Sequence, residues 1–420
     1  ALPILVLLFL KVPVYIAVLS ASAVYFIGTP GMNLSIFAQK TISGAEGLSL
    51  LAIPFFVCAG IFMNYTGVTK RIMNCCEVLT ARMPGGLAQV NILLSTLMGG
   101  LSGSSLADAA MQCKMLVPTM ESKGYSKSFS TVITAASGMV VPLIPPGVGL
   151  IIYGCINNIS IGKLFIAGIG PGIVLCVTLM IFTHFLSKKR GYLPSRTTKI
   201  PVSEKIAAVR PAFLPLLLPI IIIGGVRIGV FTASEAGTVA IVYAVLLGLL
   251  YKELTLKNVM QGCKETVTTT ASIMLIVAAA TCFSWILTKE QIPQQFSQWM
   301  ISNIHNKYVF LIMVNIFLLI VGMFIEGNAS MIVLAPLLHP VAMAYGIDDI
   351  HFAMVYIFNC TIGAFTPPMG TLMFVSCGIT KCPTKDFIKE AVPFYILFAI
   401  DIIVLTYIPQ LTTFLVNVFY

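Results

Sequence analysis

The apolar residues of this chain come in long unbroken blocks, at 2–27, 50–64, 88–120, 127–157, 164–187, 211–226, 235–251, 267–288, 308–340, 352–378, 386–408 and a tail at 410–420. A helix that crosses a bilayer needs about 20 consecutive apolar residues, and most blocks approach or exceed that length. The alternation that marks an outer-membrane barrel strand is absent. The pattern predicts an all-α polytopic membrane protein. Four blocks do not read as simple spans. Block 88–120 is interrupted by Gly99-Gly100-Leu101-Ser102-Gly103-Ser104-Ser105 and holds Asp108, and block 308–340 is interrupted by Glu326-Gly327-Asn328. Block 127–157 carries Pro142, Pro145 and Pro146, and block 352–378 carries Pro367 and Pro368. Polar or broken backbone at membrane depth is tolerated only where it is buried in protein or lines a cavity. We therefore read 88–120 and 308–340 as re-entrant helical hairpins, and 127–157 and 352–378 as helices broken at Pro-Pro.

The breaks recur at one spacing. Pro118 matches Pro340, Pro145 matches Pro367, Pro146 matches Pro368, Lys163 matches Lys385, Phe165 matches Phe387 and Pro171 matches Pro393. Gly100 and Gly124 match Gly322 and Gly346, again 222 positions apart (322 less 100). A constant offset that preserves the order of hairpin, Gly turn, Pro-Pro break, Lys and Pro predicts an internal duplication. The division that follows is a scaffold helix and periplasmic loop at 1–49, then repeat 1 at 50–190. A cytoplasmic loop and scaffold helices at 191–264 lead to repeat 2 at 265–408, with a C-terminal tail at 409–420. Residues 66–83 read as an interfacial amphipathic arm.

Composition sharpens the class. The chain of 420 residues is 58% hydrophobic and 10% charged, with mean hydropathy +0.98. A soluble domain carries about 25% charged residues. A soluble enzyme, a disordered chain, a nucleic-acid binder and a disulfide scaffold are excluded. The net charge of +10 is read as basic cytoplasmic loops. Loops 65–86, 121–127, 188–210, 252–264 and 379–389 hold 18 Lys and Arg, against 5 in 28–49, 158–163, 227–234, 289–307 and 341–351. Lys11 and Lys114 fall inside blocks. That asymmetry orients the chain. Hairpin one then enters from the cytoplasm and hairpin two from outside, and the C-terminus is periplasmic. The two halves are antiparallel, and inverted repeats with broken helices mark secondary transporters. The eleven cysteines show no metal spacing, so neither disulfides nor zinc are expected. The chain opens at Ala1 inside an apolar segment without a signal-peptide pattern, which suits either trimming or the C-terminal part of a larger polypeptide.

The breaks carry the candidate chemistry. At the tip of hairpin one, glycines let the backbone turn, and the turn frees carbonyls for a cation and helix N-termini for an anion. Asp108 has two readings, a cap or structural network within its hairpin, or direct contact with ion or substrate. Glu326, taken as the equivalent acid of hairpin two, has the same two. Proline removes a donor from the preceding turn, and hard cations prefer the carbonyls so released. Two sodium sites are predicted. The first uses carbonyls of Val141, Ile144 and Gly147 with Ser102 and Ser104 at the tip. The second uses Gly322, Gly363, Thr366 and Met369, the Thr366 hydroxyl adding to the carbonyls. Lys114 reads as snorkelling or locally paired, ahead of contact with an anion. Arg227 and Glu235 read as an ion pair or helix cap. The four histidines are scattered, and no nucleophile–base pair or HExxH spacing points to an enzyme.

These residues resemble the large membrane subunit of tripartite ATP-independent periplasmic (TRAP) transporters. The likeness runs through Leu51–Gly60, Ser102–Asp108, Ile144–Gly147, Ser160–Gly168, Gly229–Gly237, Gly346–Asp348 and Asn359–Gly370. Within the family it is most similar to the large-subunit part of sialic-acid transporters whose subunits are fused. Glu326 stands where an Asp is usual, and Gly147 where a Ser often follows Pro-Pro. The resemblance implies sodium-driven uptake of an organic acid across the bacterial inner membrane by an elevator mechanism. Sialic acid is favoured, with C4-dicarboxylates and other sugar acids as the other candidates. It implies a periplasmic binding protein and a small four-helix (Q) membrane subunit, either separate or fused N-terminally, as partners. It implies no organic cofactor and no nucleic acid. Substrate is expected between the hairpin tips, at Ser104, Ser105 and Asn328 with Asp108 beside them. A standalone sodium/dicarboxylate or citrate carrier has the same plan, and transport without a binding protein would identify it. An ion channel would conduct without saturation.

Overall fold

The computed structural model describes residues 7, 12–30, 32–196, 198 and 200–420. Lys11, Lys199 and most of the opening of the first apolar block lie outside them. The first described helices are α1 (Val14–Gly28) and α2 (Leu34–Ser43). They are followed by α3 (Ala52–Tyr65), α4 (Val68–Thr80), α5 (Gly86–Ser102) and α6 (Ser105–Ser122). Next come α7 (Lys127–Gly138), α8 (Val148–Asn157), α9 (Ile161–Lys189), α10 (Val202–Arg227) and α11 (Ala233–Leu250). The second half holds α12 (Leu256–Lys289), α13 (Ile292–Asn303), α14 (Lys307–Phe324) and α15 (Gly327–Ala344). It ends with α16 (Asp349–Phe365), α17 (Thr371–Thr380), α18 (Thr384–Tyr407) and α19 (Gln410–Phe419).

Among the described residues, six helices (α9, α10, α11, α12, α14 and α15) are long and apolar enough to cross a membrane. Several are apolar all round. On α9 the buried Leu175 and Leu179 oppose an exposed ladder of Ile173, Val177, Ile181 and Phe185. A helix with apolar residues on both faces buries one in protein and turns the other to lipid.

Each interrupted block is two helices. Block 88–120 is α5 and α6, separated at Gly103, whose φ of +61° suits a residue without Cβ. Block 127–157 is α7 and α8, block 308–340 is α14 and α15, and block 352–378 is α16 and α17. Both Pro-Pro bonds, Pro145-Pro146 and Pro367-Pro368, are cis. The bounds of α6, moved on by 222, fall on those of α15, and the start of α7 moves onto that of α16. The arm α4 turns 69° from α3. It buries Val68, Ile72, Cys75 and Cys76 while Lys70 stays exposed. Its counterpart at the same offset is α13.

The two halves exchange partners. Helix α6 packs on α17, and α15 packs on α8. Four connections differ from the sequence reading. Segment 28–49 is not all loop, because α2 forms from a cap in which Asn33 accepts from the Ser35 amide. Segment 289–307 contains α13, with Pro293 in its first turn. Helix α10 starts at Val202 instead of 211, and α12 at Leu256 instead of 267, where Thr255 caps it through the Asn258 amide. These helical ends are polar, so a search for apolar blocks passes over them.

Candidate functional site

The two hairpin tips are built alike. The Ser104 hydroxyl caps α6 by accepting from the Ala107 amide at 3.4 Å, and Glu326 caps α15 through Oε2, which accepts from the Ala329 amide at 3.1 Å. Glu326 therefore occupies the place of Ser104, not that of Asp108, whose counterpart at the offset is Ser330. This corrects the pairing of the two acids and gives Glu326 the capping role.

Both tips open into one cavity of about 440 Å³. Residues 102–107 form one wall, and Glu326, Gly327, Asn328 and Met331 another. Pro142, Val148 and Gly149 enter from the first break, and Cys360, Thr361, Ala364 and Thr371 from the second. The remaining wall comes from α3 (Gly60, Ile61, Asn64) and α12 (Thr268, Thr269, Ser272). Helix α3 can approach because position 60 is Gly, where a Cβ would lie 2.6 Å from the Ser102 carbonyl oxygen. Ser102, Ser104, Ser105 and Asn328 thus share one space. Ser102 is only 7% exposed, and its hydroxyl has no hydrogen-bond partner among the described residues.

Asp108 is elsewhere. It does not line the cavity, and the expectation of substrate contact there is corrected. It is 2% exposed. Its Oδ2 accepts from Ser95 Oγ at 2.7 Å and from Gln112 Nε2 at 2.8 Å. Ser95 Oγ in turn accepts from Gln112 at 2.7 Å and lies 3.1 Å from Ser137 Oγ. The carboxylate ties α5, α6 and α7 together, which answers to the structural-network reading.

Val141, Ile144, Gly147, Gly322, Gly363, Thr366 and Met369 sit at the breaks and do not line the cavity. Gly99 packs on Val141 and Ile144, and a Cβ on Gly103 would sit 2.9 Å from the Pro146 oxygen. A Cβ on Gly147 would run into the Pro142 carbonyl. In the second half Gly322 packs directly on Gly363, and a Cβ on Gly370 would stand 2.6 Å from the Ala364 oxygen and 2.7 Å from the Thr366 oxygen. Carbonyl oxygens thus crowd both breaks around cradles that a side chain would fill. That donor set suits a hard cation. The Thr366 hydroxyl itself donates to the Ile362 carbonyl at 2.8 Å.

Lys114 is exposed on α6 and away from the cavity. Glu235 forms a capping box with Thr232. Arg227 turns to the C-terminal helix, where its Nε donates to the Phe419 carbonyl at 3.0 Å. Sequence reasoning did not single out Asn64, Thr268, Thr269 and Ser272. The only signal for the last three is the run Thr268-Thr269-Thr270-Ala271-Ser272 at the head of the apolar block 267–288.

Residues 2–411 match the family described as the tripartite ATP-independent periplasmic transporter, DctM component. The chain is 39% identical over 414 residues to the sialic acid TRAP transporter large permease protein of Vibrio cholerae, covering 98% of this chain and 96% of that one. It is 36% identical over 381 residues to the C4-dicarboxylate TRAP transporter large permease protein of Pseudomonas aeruginosa, covering 90% and 89%. The crystal structure of the Alcanivorax borkumensis YdaH transporter shares the fold at TM-score 0.61 and 13% identity, covering 96% of this chain and 97% of that one.

Proposed function

Since the chain belongs to the DctM component family of TRAP transporters, we propose that it carries out sodium-coupled uptake of an organic acid through an elevator movement of two inverted repeats. As a large permease of that family it is a transporter and not an enzyme, a multi-pass inner-membrane protein that works with a small permease and a periplasmic binding protein. That sets aside a standalone carrier.

One observation carries the proposal: the N-termini of α6 and α15 open into the same cavity, beside Ser104, Ser105 and Asn328. Helix N-termini present free amides and a positive dipole end, which favour a carboxylate. The crossed packing of α6 on α17 and of α15 on α8 suits hairpins and broken helices that move as one body. Helices α1, α3 and α10–α13 then serve as the frame, and the C-terminus is periplasmic. Sodium is held at the two breaks by carbonyls of Val141, Ile144 and Gly147 with Ser102 and Ser104, and of Gly322, Gly363, Thr366 and Met369. Filling the carbonyl cradles with sodium braces each break before the substrate is enclosed. Sialic acid is the favoured substrate, after the Vibrio cholerae relative. The second reading, a C4-dicarboxylate, follows the Pseudomonas aeruginosa relative.

The test is uptake of labelled N-acetylneuraminate and labelled succinate into proteoliposomes containing the permease and its small subunit. A matching binding protein is added outside, with sodium present or replaced by potassium. Uptake of one acid that needs both sodium and binding protein is expected. Full uptake in potassium would overturn sodium coupling.

A further inference from the structure

The cavity has two chemically different walls. The hairpin wall holds the helix N-termini and Glu326. The facing wall carries Thr268, Thr269 and Ser272 of α12 and Asn64 of α3, all exposed to the cavity side. The Thr268 hydroxyl donates to the Lys264 carbonyl at 2.9 Å, and Ser272 to the Thr268 carbonyl at 2.9 Å. Their oxygen lone pairs stay free to accept. Thr269 and Asn64 have no hydrogen-bond partner among the described residues, so both are free to donate and to accept. Among the described residues that line the cavity there is no Lys, Arg or His, and Glu326 is the one with a formal charge.

We propose that Asn64, Thr268, Thr269 and Ser272 form a specificity-determining wall. They bind the hydroxyl and amide groups of a polyhydroxylated monocarboxylate whose single carboxylate lies at the hairpin tips. The inference rests on the organic-acid reading above and names the substrate class within it. A second carboxylate placed against this wall would meet no cationic side chain. An ionised group that leaves water without a charged partner is strongly disfavoured. Hydroxyl and amide groups find both donors and acceptors there. A site built to hydrogen-bond such groups also rejects analogues that lack them, because its own polar groups are left unpaired. The hydroxyl of Ser102, buried without a partner at the cavity edge, adds one more unfilled bond on the carboxylate side.

Cysteine protection on the purified, reconstituted permease tests the contact without a binding protein. Thr269→Cys and Ser272→Cys are labelled with a maleimide in the presence of sodium. Val267→Cys, exposed on the same helix but outside the cavity, is the control. Peptide mass spectrometry separates these positions from the native cysteines. N-acetylneuraminate is expected to slow labelling at 269 and 272 several-fold and to leave 267 unchanged, while succinate protects neither. In parallel, Thr269→Val in the uptake assay is expected to raise KM for N-acetylneuraminate by about tenfold, the worth of one or two neutral hydrogen bonds, without moving the sodium half-saturation. Equal labelling with and without N-acetylneuraminate, or protection by succinate, would overturn the proposal. If sodium-dependent uptake persists in that case, the organic-acid reading stands without the wall. Protection without sodium-dependent uptake supports the wall and removes the coupling.

Discussion

At the residue scale, Asp108 and Glu326, the acids of the two hairpins, differ in what they hold. Asp108 acts as a strut because it accepts from Ser95 of α5 and from Gln112 one turn along its own helix, and Ser95 in turn meets Ser137 of α7. Asp108→Ala removes the acceptor shared by the Gln112 amide and the Ser95 hydroxyl, and losing such a buried partner costs about 1–3 kcal/mol. The expected result is a lowered thermal midpoint in detergent with an unchanged preference between N-acetylneuraminate and succinate. A changed preference at wild-type stability would return Asp108 to the substrate. Glu326 faces the cavity and caps α15. Glu326→Gln keeps an acceptor for the Ala329 amide, whereas Glu326→Ala loses the cap, worth about 0.5–2 kcal/mol. The Ala variant should therefore unfold at lower temperature than the Gln variant, which a thermal scan of the pair checks. The sequence made both acids visible because charge is rare in apolar blocks. It did not distinguish strut from cap, because that depends on which helices lie alongside. The threonine wall was hidden for a related reason. Threonines that bond back to the carbonyl four residues earlier, as Thr266 and Thr268 do, fit an ordinary apolar helix.

At the element scale, the broken helices depend on backbone approach more than on side-chain oxygens. Gly322 and Gly363 touch through their backbones, and a Cβ at position 363 would lie 2.6 Å from the Gly322 Cα. Gly363→Val must push α14 off α16, and overpacking of this kind costs about 1–3 kcal/mol. Thr366→Ala removes one hydroxyl already committed to the Ile362 carbonyl. Sodium half-saturation measured by uptake should therefore shift more in Gly363→Val than in Thr366→Ala. The reverse order would show that the hydroxyl, not the carbonyls, dominates the second site. The break positions were legible because Gly and Pro punctuate an apolar block at fixed places. The short polar-faced helices α2 and α13 were not, because each lies in a segment too polar to register as a span and is held by tertiary contact.

At the scale of the whole molecule, the elevator reading divides the chain into a body that moves and a frame that does not. The offset of 222 made the matching helix bounds of the two halves readable, but not the exchange of partners between them, since sequence spacing says nothing of which helix lies beside which. That exchange gives a direct test. Thr131 of α7 and Thr380 of α17 lie in opposite halves with their hydroxyls 3.1 Å apart. On the elevator reading they belong to the same body, and a disulfide formed in Thr131→Cys/Thr380→Cys should leave uptake near the wild-type rate. Val333 of α15 packs instead against Ala279 of α12 and Val18 of α1, across the proposed boundary and away from the cavity. A disulfide or short bismaleimide link in Ala279→Cys/Val333→Cys should stop uptake, and reduction of the disulfide should restore it. Both links are made in the same proteoliposomes with the small subunit present, and mass spectrometry verifies that each has formed. Loss of uptake on linking 131 to 380, or full uptake with 279 joined to 333, would place the moving boundary elsewhere. The two hairpins and the two broken helices would then have to move separately, although they are packed as one.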